Sequence, residues 1–159
     1  MSTGLLVNTI LQYGELPLWN PYIFSGTPFL SNPQSAMFYP FTYLFVLFQS
    51  SFTWTLILII DVFLMGTFTY IFARKINLSK HSSIVSAVTY MFAGTVSTRI
   101  YAGHSMLIDA MVWFPLIILL YEIAITEKKA IYGIYAGFAL AIMFFTGHVQ
   151  FVTYGVLIA

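Results

Sequence analysis

Few side chains in this sequence can do chemistry, and their types narrow what that chemistry is. Cysteine is absent, which removes thiolate metal sites, disulfides and a cysteine nucleophile. Two glycine–histidine pairs stand out, Gly103-His104 and Gly147-His148. A glycine before each histidine lets the chain turn tightly and its backbone approach a ligand. Arg99 precedes the first pair and Gln150 follows the second. His104 and Asp109, five residues apart, lie about 140° around a helix from each other and share no face; Ser105 and Asp109, four apart, do. The histidines serve either as ligand groups or as helix caps and interfacial anchors. Two histidines without a third ligand nearby are not a metal signature, so no metal ligand is assigned. Asp61 sits near the middle of a long apolar run. An aspartate at mid-bilayer costs roughly 2.5–3.5 kcal/mol on insertion scales, so Asp61 is expected to face protein or water. There it either carries a proton or hydrogen-bonds a Ser, Thr or Tyr of a neighbouring helix. No Ser-His-Asp spacing, P-loop or dinucleotide motif is present.

A second set of polar groups lies in Gly14–Pro40, GELPLWNPYIFSGTPFLSNPQSAMFYP, which holds five of the six prolines. Pro17, Pro21, Pro28, Pro33 and Pro40 each remove a backbone donor and push the preceding residue out of the α region, so no regular helix is expected. The density of aromatics makes the stretch a packed loop rather than a flexible linker. Glu15, Trp19, Asn20, Asn32, Gln34 and Tyr39 are its polar or stacking groups. Rings cover sugar faces and amides bond hydroxyls, so this set suits a carbohydrate. The alternative is that the amides satisfy turn backbone.

The elements that position these residues read as membrane helices. Sixty per cent of the chain is apolar and 7% charged, against roughly 45–50% and 25% in soluble domains. The net charge of +1 and the lack of a basic run interleaved with aromatics exclude a nucleic-acid partner. Met1–Tyr13 lacks the basic start and long apolar core of a signal peptide. Leu5–Tyr13 has the pattern of an amphipathic interfacial helix, or is a frayed leader. Phe41–Gln49, with Ala36–Tyr39, suits a partial or re-entrant helix kinked at Pro40. Four spans are expected at Phe52–Ala73, Ser82–Thr98, Ser105–Thr126 and Ala130–Phe145, the second an interior helix because of its small residues. Gln150–Ala159 begins a fifth. It offers roughly 15 Å of helix, half a membrane, and ends without a polar anchor, so the chain is expected to be a fragment. The fold class is therefore an all-α polytopic membrane protein of about four spanning helices plus a partial fifth. Residues 1–40 form an extracytoplasmic amphipathic segment and Pro/aromatic-rich loop, and residues 41–159 a truncated transmembrane bundle.

Basic residues set the expected orientation. Arg74, Lys75, Lys80, Lys128 and Lys129 fall in two turns on one side, and Arg99 alone falls on the other. This asymmetry puts the basic turns inside. The Pro-rich loop and both Gly-His turns should then meet on the outer face.

The run LPLWNP…G-P-F…NPQ…FYP, with the later Gly103-His104 and Gly147-His148-Val149-Gln150, resembles the bacterial YfhO-type membrane proteins. These are relatives of the GT-C glycosyltransferases, which take a sugar from a polyprenyl-phosphate carrier. The resemblance covers nearly all of the chain from Gly14 onward. It implies sugar transfer at the outer face of a bacterial cytoplasmic membrane, from a lipid-linked donor to a cell-envelope polymer, lipid or protein. The implied partners are membrane lipid, that donor and that acceptor; dependence on a divalent metal is left open. In GT-C enzymes an acidic residue early in the first outer loop acts as general base or metal ligand. Glu15 is the only carboxylate in the loop here and lies later than that position, so the catalytic acid is unassigned. Val149 stands where many relatives carry proline, which leaves the shape of the second Gly-His turn open. The implied site is for substrate: Arg99 with helix N-terminal amides for the lipid phosphate, together with Glu15, Trp19, Asn20, Asn32, Gln34, Tyr39, His104, Asp109, His148 and Gln150. Two other classes compete, a transporter using Asp61 with Gly66 nearby and a non-catalytic membrane scaffold.

Overall fold

The computed structural model describes residues 9–48 and 52–158. Most of these are helical. Helix α1, Phe52–Lys75, leads through a turn to α2, Lys80–Met91, and α3, Gly94–Tyr101. Helix α4, Ser105–Thr126, is followed by α5, Ala130–Phe145, and α6, Val149–Ile158. Helices α1 and α4 are long and apolar enough to cross a membrane, with mean hydropathies of 2.2 and 2.0. The rest of the chain covers only 28% and 39% of their most apolar stretches. A helix at the core of a soluble domain would be wrapped on all sides. Helix α5 is also apolar but has 16 residues, about 24 Å of rise, short of a ~30 Å hydrocarbon layer.

Four continuous spans were expected, and two helices of full spanning length are found. The expected span Ser82–Thr98 is divided at Phe92-Ala93 into α2 and α3. Its Ser, Thr and Gly residues support a long helix weakly and favour ends. The Ser79 hydroxyl caps α2 by accepting from the Ser82 amide at 3.2 Å, and Gly94 opens α3. Nor is α2 an interior helix. Ser83 and Ala87 are buried, whereas Ile84, Val85 and Val88 are exposed.

Residues 9–13 are helical, the described end of the amphipathic helix expected over Leu5–Tyr13; Leu5 to Asn8 lie outside the described residues. The Pro-rich stretch contains no regular α-helix. It forms a two-residue antiparallel ladder, Trp19 opposite Pro28 and Asn20 opposite Thr27, which the spacing of prolines did not suggest. The partial helix expected around Pro40 is a 3-10 turn, Pro40–Tyr43, followed by one α-helical turn, Leu44–Leu47; Gln49 is outside the described residues.

Helix α4 is central, packing on α1 on one side and on α5 on the other. Met65, Val96, Ile108 and Val112 form one buried cluster, and Ala110, Ile117, Ala139 and Met143 another. Pro115 lies inside α4 and cannot donate to the Met111 carbonyl one turn back. Tyr90 of α2 donates its hydroxyl to that carbonyl at 3.0 Å. At one end of the helices Lys75 pairs with Glu127 at 2.7 Å, and Lys129 with the same carboxylate at 2.9 Å. Helices α1 and α4 therefore finish together and run parallel. The Pro-rich loop and both Gly-His turns gather at the opposite end. Gly147, at φ +90, lies under the loop so closely that a Cβ would stand 2.5 Å from the Pro33 carbonyl oxygen. The Phe38 ring meets Phe145 at 5.4 Å.

Candidate functional site

The first turns of α4 and α6 face each other beneath the Pro-rich loop because their preceding glycines, Gly103 and Gly147, take positive φ values of 72° and 90°. Each glycine reverses the chain without the cost a side chain would incur there. The result is a cleft of about 830 Å³ lined by Gln34, Trp54, Arg99, His104, His148 and Gln150, among others. Five residues expected to bind substrate thus share one cavity. Arg99 and His104 are engaged with each other, the guanidinium Nη1 lying 3.3 Å from the imidazole Nδ1. Arginine has no acceptor, so Arg99 donates and Nδ1 accepts, leaving the Nε2–H free to point elsewhere. Gln150 donates its amide to the Tyr154 hydroxyl at 2.6 Å, and the His148 ring stands edge-on to Phe151 at 5.5 Å. The Leu107 amide bonds the His104 carbonyl at 3.2 Å, whereas the Ser105 and Met106 amides before it have no partner within the helix, and with the guanidinium beside them they give this wall an anion-binding character.

A smaller cavity of about 50 Å³ lies below, lined by Tyr39, Ser105 and Asp109. Trp54, Ser105 and Met106 line both spaces. The shared face of Ser105 and Asp109 is as their spacing predicts. Behind this cavity lies a buried polar group that the sequence did not bring together. The Asp61 and Asp109 carboxyls are within hydrogen-bonding reach of each other. The Tyr39 hydroxyl lies near enough to feel the charge of both, and the Trp113 indole approaches that hydroxyl. Burial first, and then the two neighbouring carboxyls, push the Tyr39 phenol well above its usual range. Tyr39 and Asp61 are each 1% exposed and Asp109 is 7% exposed. The Tyr39 hydroxyl, one oxygen of each aspartate and the Trp113 N–H make no hydrogen bond of good geometry.

The remaining expected residues stand elsewhere. Asn20 is buried and uses its Oδ1 to accept the Tyr22 amide at 3.0 Å. Asn32 likewise accepts from the Gln34 amide at 3.0 Å. Both therefore satisfy turn backbone, the alternative use of loop amides. Glu15 and Trp19 are exposed and line neither cavity. Trp19 lies over Gly26, whose missing Cβ would sit 2.6 Å from the ring. Tyr39 is buried and offers no open stacking face. Among the described residues no three His, Cys, Asp or Glu side chains cluster as metal ligands. At the far end Glu127 is held down to about 2 by hydrogen bonds from Lys75 and then Lys129. Trp113 went unnoticed in the sequence, although Ser105, Asp109 and Trp113 fall on one helix face at intervals of four. No protein-family model, curated protein or solved structure matches this chain.

Proposed function

We propose that this chain forms the cleft-bearing part of an integral-membrane glycosyltransferase, transferring a sugar from a polyprenyl-phosphate donor to a cell-envelope acceptor. The observation that carries the reading is the gathering of Arg99, His104, His148, Gln150 and Gln34 around one cleft at a single end of the helices. The donor phosphate pairs with Arg99 and the first amides of α4. Gln34 and Gln150 bond sugar hydroxyls, and Trp54 offers a ring to a sugar face. The prenyl chain runs down the apolar flank of the helices, where Phe63 of α1 and Phe138 of α5 are among the uncovered side chains.

In this reading the chain crosses the membrane four times, at α1, at the broken pair α2–α3, at α4 and at the short α5. The cleft lies outside and the Lys75–Glu127–Lys129 cluster inside, following the five basic residues against one. The resemblance to the YfhO-type proteins supports the same assignment. The test is transfer from a labelled polyprenyl-phosphate sugar in membranes carrying the full-length protein. Losing a charge-assisted contact worth about 1.5–3 kcal/mol, Arg99→Ala is expected to reduce transfer roughly 10- to 100-fold. Unchanged turnover and donor affinity would remove Arg99 from the site. Asp61-dependent proton flux without any sugar transfer would favour a transporter instead.

A further inference from the structure

None of the donor contacts proposed above uses the buried group behind the cleft, and its composition is unusual. Two carboxyls from parallel helices, Asp61 of α1 and Asp109 of α4, face each other within hydrogen-bonding reach. Among the described residues the only ion pairs are those of Glu127 with Lys75 and Lys129, at the other end of the fold. Among the described residues no Lys, Arg or His side chain pairs with either aspartate. The polar groups buried near them are donors: the Tyr39 hydroxyl, close enough to feel both carboxyls, unpartnered and 1% exposed, and the unpartnered Trp113 N–H beside it. Other titratable groups nearby are engaged elsewhere. Tyr90 of α2 binds the Met111 carbonyl, Arg99 and His104 hold each other in the cleft, and Tyr154 of α6 accepts from Gln150. The tyrosines of α5, Tyr132 and Tyr135, lie in its first two turns, toward the basic end.

Two adjacent carboxylates without a counter-charge cannot both remain ionised in an apolar setting. Either a proton or a metal cation must reduce the charge. An indole N–H has no lone pair to offer a cation, whereas it can donate to an anion. The adjoining cavity of about 50 Å³ has room for a few waters at roughly 10–15 Å³ each, enough to connect Asp109 to the cleft. We propose that Asp61 and Asp109 form a proton-binding site that holds one shared proton between them. The O–H of one carboxyl donates to the other, the pair carries a single negative charge, and Tyr39 and Trp113 are positioned as donors to that charge. Asp109 is the member that exchanges its proton with the cleft, and Asp61 is the buried partner. The site stands independently of the sugar-transfer reading.

The chain contains only two aspartates, Asp61 and Asp109, which permits a test without mutation. The full chain is synthesised with aspartate carrying a heavy-carbon side-chain carboxyl and placed in lipid nanodiscs. Infrared spectroscopy at neutral pH then reads the labelled carboxyls alone. The expected spectrum has protonated and ionised bands in equal amounts, unchanged by adding or removing sodium, magnesium or calcium. Tyr39→Phe, which keeps the ring, is expected to move these bands because one donor is lost. Two ionised carboxyls, two protonated carboxyls, or a protonated band that disappears on adding one of those cations would each overturn the proposal, the last in favour of a metal site.

Discussion

The carbonyl of Met111 gives the sharpest test of how α4 tolerates a proline in its middle. Pro115 has no N–H, so the Met111 oxygen loses its helical donor, and Tyr90 of α2 supplies a replacement at 3.0 Å. Replacing Tyr90 with Phe removes one neutral hydrogen bond and leaves a partly buried carbonyl unpaired. Together these should cost about 1–3 kcal/mol of stability. In a Pro115→Ala background the new N–H of residue 115 can bond the Met111 oxygen directly, and Tyr90→Phe should then cost no more than about 0.5 kcal/mol. The double-mutant cycle therefore predicts a coupling of about 1–2 kcal/mol. Equilibrium unfolding of the four proteins in the same detergent measures it. An equal cost for Tyr90→Phe in both backgrounds would refute the claim that the tyrosine substitutes for the missing proline donor.

Gly147→Ala and Gly103→Ala separate backbone strain from steric overlap. Both sites have positive φ, which should cost roughly 1–2 kcal/mol with a side chain, but only at Gly147 would the Cβ meet backbone, at 2.5 Å from the Pro33 oxygen. Gly147→Ala should therefore lose a further ~1–3 kcal/mol in unfolding assays and expose the Pro-rich loop to protease, whereas equal effects at the two glycines would contradict the seating of the loop on this turn. Glu127 makes a pH-dependent contribution with a defined sign. Its carboxyl is lowered from 4.5 to about 2 by Lys75 and Lys129, so its stabilisation is fully present above pH 4.5 and is lost as pH falls toward 2. The gap in thermal stability between the wild type and Glu127→Gln should close across that window, and a gap that persists to the acid end would rule this carboxylate out.

What could be read from the sequence followed from local rules. The limits of α4 and α5 were visible because Gly103-His104, Glu127-Lys128-Lys129 and Gly147-His148 interrupt apolar runs that are otherwise continuous. The face shared by Ser105 and Asp109 followed from a spacing of four. What stayed hidden depended on partners far along the chain. Asp61 and Asp109 belong to different helices, and no periodicity relates them. The same holds for Tyr90 and Met111, since a proline announces a missing donor without saying which side chain replaces it. The amides of Asn20 and Asn32 show a third limit. A carbohydrate-binding set and a turn-satisfying set have the same composition, and only the hydrogen bonds to the Tyr22 and Gln34 amides separate them.

Those amides also explain why the loop can lie so deep. Tyr39 and Met37 are almost wholly buried although they belong to no helix, and irregular backbone in an apolar setting must satisfy its own polar groups. Five prolines remove five N–H donors outright. Two of the remaining amides are bonded by the Asn20 and Asn32 side chains. The carbonyl of Ala36, itself left-handed at φ 48, accepts from the buried Thr42 hydroxyl at 2.9 Å. The proline density of Gly14–Pro40 is thus more than a bar to helix formation. It lowers the number of hydrogen bonds the loop must find, which lets a non-helical segment bury Tyr39 near the two carboxyls at the foot of the cleft.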